Sequence, residues 1–64
     1  MQLLFIGDIF GKSGRRTVSE LLDRLIQHYQ IDFCVANCEN AAGGAVVTPA
    51  VVSELLDNGI DVLT

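Results

Sequence analysis

The sequence predicts an α/β fold in which three short strands alternate with two helices, in the order β-α-β-α-β. Apolar runs of four residues occur at Leu3–Ile6 and Phe33–Ala36, and Ile60–Leu63 is a third apolar segment, interrupted by Asp61. The segments between them show helical spacing or helix-capping residues. Because strands joined by right-handed crossovers lie parallel in one sheet, we expect three parallel strands with the helices packed against them.

The first strand and the first helix are predicted from apolar patterning. Leu3–Ile6 is closed by Gly7 and Asp8, which is typical of a strand buried on both faces. Over residues 15–29, apolar residues recur every three or four positions and form one helical stripe. The stripe consists of Val18, Leu21, Leu22, Leu25, Ile26 and Tyr29. Ser13 is the predicted N-cap of this helix.

The second half of the chain predicts two more strands and a second helix. Phe33–Ala36 is the second strand. Thr48 and Pro49 mark a helix start, with threonine as the cap and proline at the first helical position. The inner face of this helix is predicted to be Val51, Val52, Leu55 and Leu56. Gly59 stands where a left-handed residue ends a helix, and Ile60–Leu63 is the third strand.

The size of the chain predicts one incomplete domain over residues 1–64. Half of the 64 residues are apolar, yet two cysteines and one histidine provide neither a disulfide framework nor a zinc-finger spacing. Two helices also leave one face of a parallel sheet uncovered, although such sheets are normally covered on both faces. We therefore expect a part of a larger fold.

Charge excludes several function classes. The net charge is −4, and residues 31–64 contain five acids and no basic residue. Such a chain lacks the positive surface that general nucleic-acid binding requires. Its apolar runs are far shorter than a membrane span, and no basic segment precedes an apolar stretch as in a signal peptide. We expect a cytoplasmic protein with no membrane association.

Polar residues follow the predicted strands. Asp8 comes after the first strand, and Glu39 and Asn40 come after the second. Because ligands of open parallel sheets bind beyond the carboxyl ends of the strands, we expect these side chains to converge at one edge. Two carboxylates and an amide oxygen suit Mn²⁺, Mg²⁺ or Fe²⁺. The alternative is that Asp8 and Glu39 are ordinary loop acids that cap turns.

Residues 7–13 nearly spell a phosphate-binding loop but do not match one. Three residues stand between Gly7 and Gly11, whereas the P-loop needs four. The dinucleotide motif also fails, because position 9 is not glycine. Lys12, Arg15 and Arg16 nevertheless cluster at the start of the helix, where the helix dipole favours anions over cations. A site that holds phosphate would tolerate the cost of placing cations there, which makes Lys12 and Arg15 candidate phosphate contacts. The alternative is a solvated basic turn.

The remaining chemically reactive residues carry weaker predictions. Cys34 is expected to be a small buried hydrophobic residue of the second strand. Cys38 adjoins Glu39 and could serve as a soft ligand, but a structural role is the simpler interpretation. His28 is expected at the surface of the helix flank.

A family resemblance is carried by two motifs in this order. The first is LFIGDIFGKSGR at residues 4–15, and the second is NCENAAGG at residues 37–44, which is followed by Thr48 and Pro49. They resemble the N-terminal portion of the bacterial calcineurin-like metallophosphoesterases that include 2′,3′-cyclic-nucleotide 2′-phosphodiesterases. The resemblance implies an α/β/β/α sandwich and two divalent metal ions (Fe, Mn or Mg). It implies that Asp8 is a ligand of the first metal, that Glu39 bridges both and that Asn40 binds the second.

The same resemblance implies what the chain lacks. In this family a Gly-Asn-His motif follows a strand such as Ile60–Leu63, so the catalytic histidine has no counterpart up to Thr64. Most metallophosphoesterases have a histidine two residues after the first aspartate, but this branch lacks it. Phe10 occupies that place here, which is consistent with the branch. Residues 45–47 depart from the glycine-containing loop expected there.

The function implied is a metal-dependent phosphodiesterase or phosphatase, in which two cations activate water for attack on a small-molecule phosphoester. Lys12 and Arg15 could contact the phosphate. We expect the 64-residue chain alone to be inactive. The alternative function is a non-catalytic assembly or phosphate-binding module that self-associates through the uncovered sheet face, and we expect a homo-oligomer.

Overall fold

The computed structural model describes residues 1–43 and 47–64. The elements in chain order are β1 (Leu3–Ile6), α1 (Gly11–Tyr29), β2 (Phe33–Ala36), α2 (Pro49–Asp57) and β3 (Val62–Leu63). The strands form one parallel sheet in the order β1-β2-β3. The predicted β-α-β-α-β fold with three parallel strands is therefore confirmed.

The register of the sheet brings the three strand ends together. Ile6 at the end of β1 pairs with Ala36 at the end of β2, and Ala36 pairs with Leu63 at the end of β3. The residues that follow each strand therefore leave the sheet at one edge, as expected for the ligand edge of a parallel sheet.

Helix α1 begins earlier than predicted and without the predicted cap. Its N-cap is Phe10, which has an extended backbone, and no side chain of residues 1–43 or 47–64 caps the helix. Ser13 lies inside the helix, so its prediction as N-cap was wrong. The physical reason is that the helix start is fixed by backbone contacts. Gly14 donates to the Phe10 carbonyl, and Gly11 donates to the Asn40 carbonyl in the loop after β2.

The core lies between the sheet and the two helices. Its buried residues are Ile9, Val18, Leu22, Cys34, Ala36, Cys38, Ala41, Leu55 and Ile60. From α1 only part of the predicted stripe contributes, since Leu21, Leu25 and Tyr29 are exposed. The physical reason is that a sheet of three short strands is too small to cover the whole apolar stripe of α1. Those three residues form an apolar flank at the surface of α1.

The opposite face of the sheet is exposed. Leu3 and Phe5 of β1 are 61% and 62% exposed, and Phe33 of β2 and Val62 of β3 are exposed beside them. We call these four residues the bare sheet face. The prediction that β1 is buried on both faces was wrong, because successive strand residues point to opposite faces and only one face meets the helices.

Helix α2 follows its predicted caps. The Val51 backbone N–H donates to Thr48 Oγ1 at 3.3 Å, and Pro49 is the first helical residue. Gly59 has φ 115°, as predicted for the residue that ends the helix. Leu56 was wrongly predicted to face inward and is exposed. In the described part of the chain, neither helix combines the length and the apolar character needed to cross a bilayer.

Strand β3 is shorter than predicted, because it begins at Val62 rather than Ile60. Ile60 is buried in the core, and its N–H donates to the Leu55 carbonyl of α2. The predicted departure from the glycine-containing loop of the family falls on residues 45–47. Residues 45 and 46 lie outside the described residues.

Candidate functional site

The loops after β1 and β2 are joined by backbone hydrogen bonds. Asn37 donates to Ile6 at 3.0 Å and accepts from Ile9 at 3.2 Å, which continues the pairing of the two strands beyond the sheet. Farther along, Gly11 donates to the Asn40 carbonyl at 3.0 Å. The two loops therefore run side by side for several residues. We call this set of hydrogen bonds the loop frame; all of them join main-chain groups.

The end of β3 joins the same edge. Thr64 donates its backbone N–H to Ala36 at 2.8 Å, and its carbonyl accepts from Cys38 at 3.0 Å. Cys38 in turn accepts from Ala41 at 3.0 Å, which closes a turn around Glu39 and Asn40. All three strand ends are thus tied to the loop that follows β2.

The structure brings Asp8 and Asn40 together at this edge. Asn40 Nδ2 donates to Asp8 Oδ1 at 3.1 Å. A carboxylate only accepts, so the bond fixes the amide with its nitrogen toward Asp8 and its oxygen pointing elsewhere. Among residues 1–43 and 47–64, no group bonds to the second carboxylate oxygen of Asp8 or to the Asn40 amide oxygen, and Asp8 is exposed. This pair offers two hard oxygen donors.

Glu39 lies in the same turn but does not join this pair. It is exposed, and among residues 1–43 and 47–64 its carboxylate makes no hydrogen bond or ion pair. Within those residues no three His, Cys, Asp or Glu side chains lie close enough to hold a metal ion. The donors fit part of a shell for a hard divalent cation, and the ligand set Asp8, Glu39 and Asn40 stays a prediction.

Arg15 has partners that the sequence did not indicate. Its Nη1 donates to the Ala41 carbonyl at 2.7 Å, and its Nε lies 2.9 Å from Glu54 Oε2 of α2. The Nε–H is not aimed along the second contact, so that contact is an ion pair rather than a well-formed hydrogen bond. Arg15 therefore links α1, the loop after β2, and α2.

Beside this link is an open cleft of about 210 Å³, lined by Lys12, Arg15, Arg16, Ser19 and Glu54. Arg16 is paired with Glu20 at 3.0 Å on the surface of α1. Lys12 is exposed and makes no ion pair within the described residues. Of the two predicted phosphate contacts, Lys12 is thus accessible, whereas Arg15 is held by Ala41 and Glu54.

Sequence reasoning missed Ala41, Glu54 and the backbone role of Asn37. Ala41 and Glu54 gave no signal, because a backbone acceptor leaves no residue-type pattern and Glu54 is far from Arg15 in sequence. Asn37 begins the NCEN segment and could have been noticed for its position at the strand end. Its Oδ1 atom is buried without a hydrogen-bond partner among the described residues, which costs free energy.

Cys34 and His28 lie as predicted. Cys34 is buried in β2, and burial followed by the nearby Asp61 carboxylate raises the pKa of its thiol above the usual value of 9.0. Cys38 is also buried, and both thiols are free. His28 is exposed on α1, with its ring edge-on to Tyr29 at 4.7 Å. A thiol with a raised pKa is a poor nucleophile, so Cys34 acts as a packing residue.

Comparison with known proteins places this arrangement in a family. The chain is 39% identical over all 64 residues to a 2′,3′-cyclic-nucleotide 2′-phosphodiesterase of Bacillus subtilis (strain 168), of which it covers 24%. A crystal structure of a novel phosphatase from Mycoplasma pneumoniae matches 95% of this chain and 22% of its own, with 27% identity and a TM-score of 0.88. A crystal structure of a hypothetical protein from Thermus thermophilus matches 98% of this chain and 24% of its own, with 35% identity and a TM-score of 0.87.

The chain therefore spans about a quarter of the length of these relatives. The predicted resemblance to the bacterial phosphodiesterase family is confirmed. A family model described as YmdB-like protein matches residues 4–64, which include every predicted site residue. This chain belongs to the YmdB-like protein family.

Proposed function

We propose that this chain supplies metal ligands to a phosphoesterase site that acts on cyclic nucleotides or related small phosphoesters. One observation of the structure carries the proposal, namely the Asn40–Asp8 hydrogen bond at the carboxyl edge of the sheet. The named activities of the Bacillus subtilis and Mycoplasma pneumoniae relatives support the reaction class.

In this proposal Asp8, Glu39 and Asn40 hold divalent cations, two in the assembled site. Such cations neutralise phosphate oxygens and make a water molecule nucleophilic near neutral pH. The residues of this chain bind and orient. Asp8 and Asn40 present oxygens from two adjacent loops, and exposed Lys12 contacts the phosphate. Arg15 would have to leave Ala41 and Glu54 to do the same.

We further propose that the 64-residue chain alone does not turn over substrate. Three side-chain ligands are few for two cations that each prefer about six oxygen donors. A general acid is also needed to protonate the leaving oxygen. The one histidine, His28, is on the apolar flank of α1 rather than in the loops that hold Asp8 and Asn40.

A chimaera tests the proposed activity. The matching segment of the Bacillus subtilis relative is replaced by this chain, and hydrolysis of a 2′,3′-cyclic nucleotide is measured with Mn²⁺. We expect retained activity that Asp8→Asn lowers by about a hundredfold or more, since even groups that only support a metal ligand contribute 10–100-fold. Asp57→Asn at the end of α2 is the matched control and should leave the rate unchanged. An equal rate in the Asp8→Asn chimaera would refute the proposal.

Metal binding is tested on the chain itself. Mn²⁺ added to ¹⁵N-labelled protein should broaden the signals of Asp8, Glu39 and Asn40 before those of the rest of the chain. Asp8→Asn and Glu39→Gln should each weaken this broadening, and Asp57→Asn should not. Broadening spread equally over all exposed acids would contradict a defined site.

A second candidate function, an assembly module, is favoured by the bare sheet face. Four large apolar side chains stand exposed together on neighbouring strands, and such patches mark interaction surfaces. In this proposal two or more copies bury this face against each other. Light scattering should then show a mass above that of the monomer at micromolar concentration. Phe5→Ser should return the mass to that of the monomer, whereas a wild-type monomer at all concentrations would exclude the module.

We place the protein in the cytoplasm. The two free thiols, Cys34 and Cys38, fit a reducing compartment. Fractionation of cells that express the tagged chain tests the location.

A further inference from the structure

The turn that carries Glu39 and Asn40 is held by the side chain of Arg15, which belongs to helix α1. Arg15 Nη1 donates to the Ala41 carbonyl at 2.7 Å, one residue after Asn40. The preceding carbonyl, that of Asn40, accepts from the backbone of both Gly11 and Gly43 at 3.0 Å. Two consecutive carbonyls of the turn are therefore fixed by three donors, and one of these donors is a charged side chain.

Burial separates Arg15 from the other basic residues of α1. The Arg15 side chain is only 19% exposed, whereas that of Arg16 is largely exposed and paired with Glu20 one turn away on the same helix. Surface pairs of the latter kind contribute little. The charge-assisted hydrogen bond from Arg15 to the carbonyl of buried Ala41 is stronger and more directional.

Glu54 completes the arrangement from α2. Its carboxylate lies 2.9 Å from Arg15 Nε and balances the charge of the guanidinium, whose Nη1 donates to the Ala41 carbonyl. The planar guanidinium presents several N–H groups in a fixed fork, so it can contact a carbonyl and a carboxylate at once. A lysine has a single ammonium group and cannot reproduce both contacts with the same geometry.

We propose that Arg15 is a positioning residue, which with Glu54 holds the loop after β2 so that Asn40 faces Asp8. This inference rests on the proposed function for its purpose, because a defined position of Asn40 matters only if that side chain is a ligand. It assigns Arg15 a role in placing a ligand rather than in contacting phosphate, and it gives Glu54, which no motif singled out, a role at the site.

Amide hydrogen exchange tests the inference without any metal. Gly11 and Gly43 both donate to the Asn40 carbonyl, so their exchange rates report the placement of the turn, whereas amides of Val18 and Leu22 in α1 report global stability. In Arg15→Gln we expect the Gly11 and Gly43 amides to lose about tenfold or more protection beyond the loss at Val18 and Leu22. The side-chain NH₂ signals of Asn40 should shift at the same time.

Three further variants make the experiment decisive. Arg15→Lys should restore part of the protection, Glu54→Gln should cause a smaller loss because the Ala41 contact persists, and Arg16→Gln should match the wild type. If Arg15→Gln does not fold, Arg15→Lys and Glu54→Gln give the same comparison. Equal loss at all amides, or no loss at Gly11 and Gly43, would overturn the positioning role.

Addition of Mn²⁺ then separates the two proposals. If Mn²⁺ broadens the Asn40 signals in the wild type and does so at severalfold higher concentration in Arg15→Gln, both proposals are supported. If Mn²⁺ has no local effect on the wild type while the exchange result holds, the metal site is refuted and the positioning of the turn stands. If Mn²⁺ binds wild type and Arg15→Gln equally, Arg15 does not position the ligand.

Discussion

Alanine substitution at three glycines tests whether the loop frame has the backbone geometry described above. Gly11 has φ 62°, and a Cβ at this position would lie 3.7 Å from the Gly43 Cα, which is an ordinary contact. The cost of Gly11→Ala is therefore conformational, about 1–2 kcal/mol for a left-handed non-glycine residue. Gly59 has φ 115°, and its Cβ would lie 3.0 Å from Ile26 Cδ1.

Gly59→Ala therefore combines backbone strain with crowding in the core, and we expect a total cost of about 2–5 kcal/mol. Gly7 is the control. It is outside the left-handed region, and its Cβ would meet no atom of the described residues within 4 Å, so Gly7→Ala should be neutral or slightly stabilising. The expected order of destabilisation is Gly59→Ala, then Gly11→Ala, then Gly7→Ala.

Urea unfolding followed by circular dichroism measures these differences. With an m-value near 1 kcal/mol/M for a chain of this size, Gly11→Ala should lower the midpoint by about 1–2 M relative to Gly7→Ala. Equal midpoints for Gly11→Ala and Gly7→Ala would refute the left-handed start of α1, and with it the geometry that lets Gly11 donate to Asn40. A Gly59→Ala variant as stable as wild type would refute the packing of Ile26 against the end of α2.

Three other predictions concern the fold. Leu55→Ala removes a completely buried side chain at a cost of about 2–5 kcal/mol. This cost is a large share of the free energy of unfolding, which is roughly 3–10 kcal/mol for a chain of 64 residues. Thermal unfolding should therefore lose cooperativity or disappear. Thr48→Ala removes the acceptor of the Val51 N–H and should cost about 1 kcal/mol in urea unfolding, with Thr48→Ser close to wild type. Because the Cys34 pKa is raised on folding, the folded chain keeps a proton that the unfolded chain loses as the pH rises through 9.0. The contribution of this thiol to the free energy of unfolding should therefore be constant well below pH 9.0 and fall above it. Cys34→Ala should remove the part of this decline that comes from the thiol.

The elements of the fold could be predicted because each depends on local chemistry. Apolar runs located the strands, and the Thr48–Pro49 pair gave the start of α2 to the residue. The meeting of Asp8 with Asn40 was predictable in the same way, since it follows from parallel strand order and needs no knowledge of side-chain packing.

The start of α1 and the role of Arg15 could not be predicted, because both depend on contacts between segments distant in sequence. Ser13 has the chemistry of an N-cap, but the backbone of Gly11 meets Asn40 first. Arg15 looked like a cation near a helix start, and its ion pair with Glu54 depends on how α2 packs. The composition of β1 did not reveal the exposure of Phe5, because an apolar strand looks the same whether one or both of its faces are covered. The number of helices did predict one uncovered sheet face, but not which residues would lie on it.

At the strand ends, the groups that position the loops differ from the side chains that are candidate ligands. This explains how the candidate site could change its ligands without losing its shape. The positions of the loops depend on main-chain bonds, such as Ile9 to Asn37 and Gly11 to Asn40, which are indifferent to the side chains of Asp8 and Glu39. Both carboxylates are exposed and contribute little packing, so replacing them should change stability by no more than about 0.5 kcal/mol. Arg15 and Gly11 are the reverse case, since their hydrogen bonds to the Ala41 and Asn40 carbonyls fix the backbone of the loop. Substitutions that abolish ligand binding and substitutions that disturb the loop should therefore fall on different residues, and this separation allows the function of the edge to be tested independently of its fold.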